Sequence, residues 1–293
     1  MLNWISKNMK WTFTAPALVL TALLLVFPLI YTTWMSLHKW SGSSVKAPLW
    51  LGAGNYINLF TNDPRFVDAV GRTLLFTGVT VAAEVTLGFG IALILRKSFR
   101  GERIVRTIIL LPLVATPVAI SMAWLLLLEP TIGLGNQVLG AFGIPEQEFL
   151  GSASGALWLL MMIDVWQWTP MIVLIALAGL TSLPDDPYQA AVVDGASSWQ
   201  QFKYLTLPLM VPTLFAGLLL RLVDSLKTFD IIYVTTKGGP GNATETLNTY
   251  GFMQAFEYTN FGRASAVLII FFAIVLAVTL VVSKVRSKVG DLS

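Results

Sequence analysis

Six long apolar stretches alternate with short polar segments along the chain. The hydrocarbon core of a bilayer requires about 20 apolar residues at about 1.5 Å each, and every one of these stretches approaches or exceeds that length. The pattern therefore predicts an all-α integral membrane protein with six transmembrane helices in a single domain over residues 1–293. The predicted spans are 11–37, 68–95, 107–128, 155–180, 209–235 and 264–283.

Composition agrees with lipid as the solvent and excludes several classes of function. Apolar residues make up 55% of the 293 residues and charged residues only 12%, against about 25% charged in soluble domains. Cysteine is absent and His38 is the single histidine, so thiolate chemistry, cysteine-based metal sites and a paired-histidine metalloprotease are excluded. The net charge of +3 comes without a basic stripe, which argues against nucleic-acid binding.

The distribution of lysine and arginine predicts the orientation, because these residues are enriched in cytoplasmic loops. A cytoplasmic N-terminus places eleven basic residues inside and six outside, so both termini are predicted to be cytoplasmic. The inside set is Lys7, Lys10, Arg96, Lys97, Arg100, Arg103, Arg106, Lys203, Lys284, Arg286 and Lys288, and the outside set is Lys39, Lys46, Arg65, Arg72, Lys237 and Arg263.

The polar segment 183–208, between predicted spans four and five, has the residue pattern of a helix start. Asp186 is of a residue type that caps helices, and Pro187 suits the first helical position. Gln189 stands where a capping box places Glu or Gln. A short helix over 188–193 is therefore expected.

A second helix is expected to follow after a turn. Asp194 and Gly195 should end the first helix, because glycine readily takes the left-handed geometry that closes helices. Ser198 with Gln201 repeats the capping pattern, and this second helix is expected to end before Pro208. On physical grounds alone, the segment is equally well explained as a connector with well-capped helices.

The same segment resembles the EAA loop of permease subunits in binding-protein-dependent ABC importers. The family pattern is Glu-Ala-Ala, a glycine four residues later, and Ile-x-Leu-Pro after nine more; here Gln189 replaces Glu and Leu205 replaces Ile. Fragments along nearly the whole chain look most like the maltose-type subunit of carbohydrate importers. The matching fragments of the loop are Gln189-Ala190-Ala191, Asp194-Gly195-Ala196 and Leu205-Thr206-Leu207-Pro208.

This resemblance implies a helix-turn-helix coupling loop at about 183–208 that docks on an ATPase subunit, in the cytoplasmic (inner) membrane of a bacterium. The residues it assigns to docking are Gln189, Ala190, Ala191, Asp194, Gly195 and Ala196. The implied partners are a second homologous permease subunit, two ATPase subunits, an extracytoplasmic sugar-binding protein, the sugar and the lipid bilayer. The chain has no Walker A motif, so ATP and Mg²⁺ are expected on the ATPase subunits, and this chain is expected to hold no cofactor and to be no enzyme.

Predicted span five contains ionisable residues, which at membrane depth are costly unless paired or hydrated. Arg221, Asp224, Lys227 and Asp230 recur every third residue with alternating charge, so they can form a ladder of ion pairs along the helix. One interpretation is that the ladder only stabilises helix packing. The other is that these groups serve transport, because membrane helices have less costly ways to pack.

Two polar stripes at helical spacing predict a sugar site. Their aromatic and hydrogen-bonding side chains suit a sugar, which has an apolar ring face and a rim of hydroxyls. By resemblance the seven stripe positions, which do not include Asp224, line the sugar site of the maltose-type subunit, although several residue types differ. The predicted substrate-binding residues are Asp164, Gln167, Trp168 and Met171 on span four and Arg221, Asp224, Ser225 and Thr228 on span five.

Two questions stay open at this point. Arg221 could hold an anionic group of a modified sugar, or it could be neutralised by Asp224 or Asp164. The chain could also be an ion-gradient-driven secondary transporter that uses Asp224 and Lys227 as a relay, although that reading gives no reason for the capped helix pair. An intramembrane hydrolase is excluded because the spans offer no histidine or cysteine to activate a nucleophile.

Overall fold

The computed structural model describes residues 9–42, 47–97 and 99–290, and most of this part of the chain is helical. The helices are α1 (Met9–Thr21), α2 (Phe27–Ser36), α3 (Gly54–Asn62), α4 (Pro64–Leu95), α5 (Glu102–Val114), α6 (Pro117–Leu127), α7 (Leu134–Ala141), α8 (Ala156–Thr181), α9 (Asp186–Val193), α10 (Ser198–Gln201), α11 (Leu207–Leu226), α12 (Asp230–Thr235), α13 (Leu247–Phe252) and α14 (Phe261–Gly290). Three π-helical turns are Ala22–Val26, Phe202–Thr206 and Met253–Glu257. The strands β1 (His38–Lys39) and β2 (Leu49–Trp50) pair antiparallel.

Five helical stretches of the described chain are long and apolar enough to cross a membrane, which confirms the predicted class. They are Phe13–Ser36, Pro64–Leu95, Ala156–Thr181, Ser198–Thr235 and Phe261–Arg286.

The third predicted span, 107–128, is not one straight helix. Helices α5 and α6 meet at a bend of 99°. Ala115 and Thr116 between them are extended, because Pro117 disfavours helical geometry in the residue before it. Thr116 then caps α6 by accepting a hydrogen bond from the amide of Ala119. This bent pair brings the number of candidate spans to six.

The chain divides into two compact units. The described residues of the first unit lie within 1–67 and 250–273. In this unit the carboxylate of Asp63 pairs with Arg263 and accepts a 2.6 Å hydrogen bond from the hydroxyl of Tyr250. Burial, together with that bond to Asp63, raises the pKa of Tyr250 above its usual range. His38 is buried between the rings of Trp34 and Trp50, which gives it a packing role.

The described residues of the second unit lie within 68–249 and 274–293. This unit contains tightly packed helices around α8. A methyl group added at Gly88 of α4 would lie 2.7 Å from Ile172 of α8. One added at Gly179 of α8 would lie 2.7 Å from Thr213 of α11. Small residues at both crossings therefore let α4 and α11 approach α8 closely, as is usual between membrane helices.

The helix pair of segment 183–208 exists, but its caps differ from the prediction by one residue. The N-cap of α9 is Asp185, without a side-chain cap bond, and Asp186 is already helical. The capping box of the second helix joins Ser197 to Gln200. Several polar residues precede each helix, so the residue type alone does not choose the cap among them.

Pro208 does not end the second helix, contrary to the prediction. Helix α10 continues through the π-helical turn Phe202–Thr206 into α11, and Pro208 lies in the first turn of α11. Proline lacks an N–H and its ring conflicts with the carbonyl four residues earlier. The wider π turn accommodates both effects, so the helix continues through the proline.

Candidate functional site

A polar cavity of about 230 Å³ opens between α8, α11 and the start of α12 in the second unit. It brings together six of the predicted substrate-binding residues from two separate spans. Its lining residues are Pro117, Asp164, Gln167, Trp168, Arg221, Asp224, Lys227, Thr228, Phe229, Asp230 and Ile231.

Arg221 of α11 is the centre of a buried cluster of charges. Its guanidinium donates to both carboxylate oxygens of Glu84 of α4, at 2.6 and 3.0 Å, and to Asp164 of α8. All three side chains are at most 3% exposed. Its guanidinium carbon also lies 4.9 Å from the ring centre of Trp168, a cation–π geometry. The cluster thus ties three helices together around one cation.

These contacts show which carboxylates neutralise Arg221. Its partners are Asp164, one of the two carboxylates that the sequence offers as alternatives, and Glu84, which the sequence analysis missed. Asp224 instead lies 3.5 Å from Lys227, and both side chains are about half exposed. The predicted ladder is therefore wrong for Arg221, because carboxylates on neighbouring helices reach its guanidinium.

Two sequence signals pointed to Glu84. It is a carboxylate in the middle of an apolar stretch, where a charge calls for a partner. It also continues a polar stripe on α4, Thr73, Thr77 and Thr80, at spacings of four, three and four residues.

Ser225 and Met171 of the predicted set do not line the cavity. Ser225 is buried, and its hydroxyl lies 3.0 Å from the hydroxyl of Thr80, so it joins α11 to α4. Met171 is half-buried further along α8. Both share a helical face with cavity residues. Sharing that face does not place a residue in the cavity wall, because neighbouring helices cover some of its positions.

Gln167 is a cavity residue with unused hydrogen-bonding capacity. Its side chain is 3% exposed and lines the cavity. Among the described residues, none forms a hydrogen bond with its carboxamide. Because the carboxamide has two donors and an acceptor in the wall of the cavity, a ligand hydroxyl there can form hydrogen bonds with it.

The wall of the cavity also contains a break in predicted span five, which the sequence analysis treated as continuous. Helix α11 ends at Leu226, residues 227–229 are not helical, and α12 begins at Asp230. The carbonyl of Lys227 accepts a 2.8 Å hydrogen bond from the side chain of Asn248. Irregular backbone at membrane depth is tolerated where it lines a cavity, and transporters bind their substrates at such interrupted helices.

The segment 183–208 presents an exposed surface in the same unit. Gln189, Ala190, Asp194 and Gly195 are exposed, and Ala191 and Ala196 are partly buried. Val192 and Val193 are 65% and 86% exposed and add apolar area to this surface. Gly195 has a φ of +75°, and the amide of Ala196 closes α9 with a 2.9 Å bond to the carbonyl of Ala191. The prediction that Gly195 ends this helix is therefore confirmed.

A multi-span helical protein with a polar cavity at a broken helix is the architecture of a membrane permease. Over residues 84–289 the chain matches the model of a family described as binding-protein-dependent transport system inner membrane component, and it belongs to this family. It is accordingly a transport subunit of the inner membrane and not an enzyme.

Two relatives and one solved structure resemble the chain over nearly its whole length. It is 35% identical to the trehalose/maltose transport system permease protein MalF of Thermococcus litoralis, covering 97% of this chain and 95% of that protein. It is 33% identical to the sulfoquinovosyl glycerol transport system permease protein SmoG of Agrobacterium fabrum, covering 94% and 89%.

The solved structure is of a bacterial ABC transporter involved in the import of the acidic polysaccharide alginate. One of its chains superimposes with a TM-score of 0.85 at 22% identity, and the match covers 98% of each chain. The fold is therefore that of an ABC importer permease.

Proposed function

We propose that this chain is a membrane-spanning subunit of an ATP-driven ABC importer that moves a sugar or sugar derivative into the cytoplasm. Relatives that match over nearly the whole chain are named as sugar permeases. The observation that carries the proposal is the polar cavity at the break of span five, with the unpartnered carboxamide of Gln167 in its wall.

In this proposal the cavity contacts the sugar as it crosses. The carboxamide of Gln167, the carboxylate of Asp224 and the hydroxyl of Thr228 offer donors and acceptors to sugar hydroxyls. The indole of Trp168 contributes an apolar surface and is held in place by Arg221. Ser225 and Met171 are outside this contact set because they do not line the cavity.

The charges around the cavity favour a cargo without negative charge. Arg221 is already neutralised by Glu84 and Asp164, so it has little attraction left for a carboxylate or sulfonate. The remaining charged groups of the lining are Asp224, Asp230 and Lys227, of which two are acidic. An anionic sugar would meet net repulsion in this wall, whereas a neutral sugar would not.

The exposed surface around α9 is the proposed contact with an ATPase subunit. Its alanines allow close backbone approach, and Val192 and Val193 supply apolar area that a cleft of an ATPase subunit would cover. ATP and Mg²⁺ bind to two such ATPase subunits, and a second homologous permease subunit completes the path. An extracytoplasmic sugar-binding protein delivers the cargo, and both termini of this chain are cytoplasmic.

Uptake into vesicles that contain the assembled importer and its binding protein tests the function. A labelled neutral sugar, chosen as the ligand that raises the melting temperature of the binding protein, should enter only with ATP. Uptake driven by a proton or sodium gradient without ATP would instead establish a secondary transporter.

Ala191→Trp tests the proposed docking surface. The bulky ring should prevent close approach of the ATPase, so transport and substrate-driven ATP hydrolysis should both fall at least tenfold while membrane insertion is kept. The matched control is Ala141→Trp at the exposed end of α7, which should transport normally. Normal substrate-driven ATP hydrolysis in Ala191→Trp would contradict docking at α9.

A further inference from the structure

A second cavity lies between α4, α5 and α8, away from the polar cavity. It has a volume of about 350 Å³ and a mostly apolar wall that includes Ile109, Leu110, Leu174 and Leu177. Arg96 and Arg106 also line it, beside the end of α4 at Leu95. The cavity is therefore a groove with an apolar wall and a basic end.

The two arginines of the groove have unused capacity to bind an anion. Arg106 pairs with Glu102 at 2.6 Å and donates to the carbonyl of Leu95 at 3.0 Å, but its Nε is buried and has no partner among the described residues. The guanidinium of Arg96 lies over the ring of Tyr188 at 5.3 Å. In the described part of the chain, no carboxylate forms an ion pair with Arg96.

The surrounding sequence strengthens the positive charge at this end. Lys97, Arg100 and Arg103 are exposed between the two groove arginines, and Glu102 is the one acidic residue from 96 to 106. Basic residues near the ends of membrane helices attract anionic lipid headgroups, and basic pockets between such helices bind them. The apolar wall adds a surface that a soluble anion would leave empty and an acyl chain would cover.

We propose that this groove binds an anionic phospholipid. The phosphate lies between the guanidinium groups of Arg96 and Arg106, and one acyl chain packs along Ile109 and Leu177. This binding site is independent of the cargo and of the proposed sugar cavity.

The position of Arg96 gives the lipid a route to the loop that carries α9. Tyr188, under the guanidinium of Arg96, belongs to α9, and its hydroxyl lies 3.0 Å from that of Thr206. A bound headgroup fixes Arg96 and so holds Tyr188 against Thr206. This consequence, which rests on the proposed function, is that anionic lipid increases the coupling of ATP hydrolysis to transport.

Native mass spectrometry of the full-length chain in detergent tests the binding site with phosphatidylglycerol as the probe and phosphatidylcholine as the neutral comparison. Phosphatidylglycerol should bind more tightly, and Arg96→Gln should weaken it about fivefold, the effect of one basic residue near a membrane surface. The matched control Arg100→Gln removes the same charge outside the groove and should leave binding nearly unchanged. Unfolding temperatures of all variants verify that each remains folded.

Two further measurements distinguish a phospholipid from a soluble phosphate as the ligand. Ala178→Phe narrows the apolar groove without changing its charge, and it should weaken phosphatidylglycerol binding while leaving the arginines in place. Soluble glycerol phosphate should bind far more weakly than the lipid. Equal affinity for the two lipids, equal losses in Arg96→Gln and Arg100→Gln, or binding of glycerol phosphate as tight as that of lipid would each overturn the proposal. Loss of lipid binding with ATP-driven uptake retained would affect only the regulatory consequence.

Discussion

Arg221 is a fully buried cation whose charge is compensated by two carboxylates. A charge taken out of water is costly, but two carboxylates and an indole face surround this guanidinium. The bidentate geometry with Glu84 fixes the direction of the side chain as well as its charge. The cluster therefore holds α4, α8 and α11 together at the wall of the cavity.

Arg221→Met tests this role, because it leaves two buried carboxylates without a cation. Breaking a buried pair in this way costs about 3–5 kcal/mol. The unfolding temperature of the detergent-solubilised protein should fall markedly, and uptake should be lost. Lys227→Met is the control, since its pair with Asp224 is half exposed and should contribute little. Equal stability of the two variants would show that the cluster does not support the fold.

At the scale of elements, the crossing of α4 and α8 depends on one missing side chain. Gly88 brings the backbone of α4 against Ile172, and Glu84 lies one helical turn earlier on α4. The close contact at Gly88 therefore also sets the distance over which Glu84 reaches Arg221. Packing and electrostatics are coupled along this helix.

Gly88→Ala tests the crossing. The added methyl group would lie 2.7 Å from Ile172, so α4 and α8 must separate, at a cost of about 1–3 kcal/mol. Gly90→Ala, two residues along the same helix, meets no atom within 4 Å and should be neutral or slightly stabilising. Thermal unfolding and uptake of both variants provide the comparison. The crossing is less tight than described if Gly88→Ala matches Gly90→Ala.

At the scale of the whole molecule, charge distribution sets the orientation in the membrane. The basic run from Arg96 to Arg106 and the segment 183–208 are predicted to face the cytoplasm, with α3 on the outer side. The absence of cysteine makes this orientation directly measurable, since any introduced thiol is the only one in the chain.

Single-cysteine labelling in intact cells checks the orientation. Thr61→Cys, in exposed α3, should react with a membrane-impermeant maleimide in intact cells. Ser198→Cys, exposed at the start of α10, should react only after the membrane is permeabilised. Reversed labelling of the two positions would place the termini outside and remove the basis for an ATPase docking at α9.

The sequence by itself determined the class of the molecule and most of its membrane spans. Lipid cannot hydrogen-bond the backbone, so each crossing must be a long apolar helix, and that length is readable without a structure. Helical spacing also placed Asp164, Gln167 and Trp168 on one face of α8, and the cavity uses that face.

Only the tertiary structure decided which faces meet. Glu84 reaches Arg221 from 137 residues away, and neither periodicity nor capping carries information over that separation. The same holds for Ser225, whose stripe position predicted a site contact although α4 covers it. The break at 227–229 also depends on a neighbour, since the side chain of Asn248 binds the carbonyl of Lys227. Local spacing fixes the face of a residue, whereas its partner is fixed by the packing of distant helices.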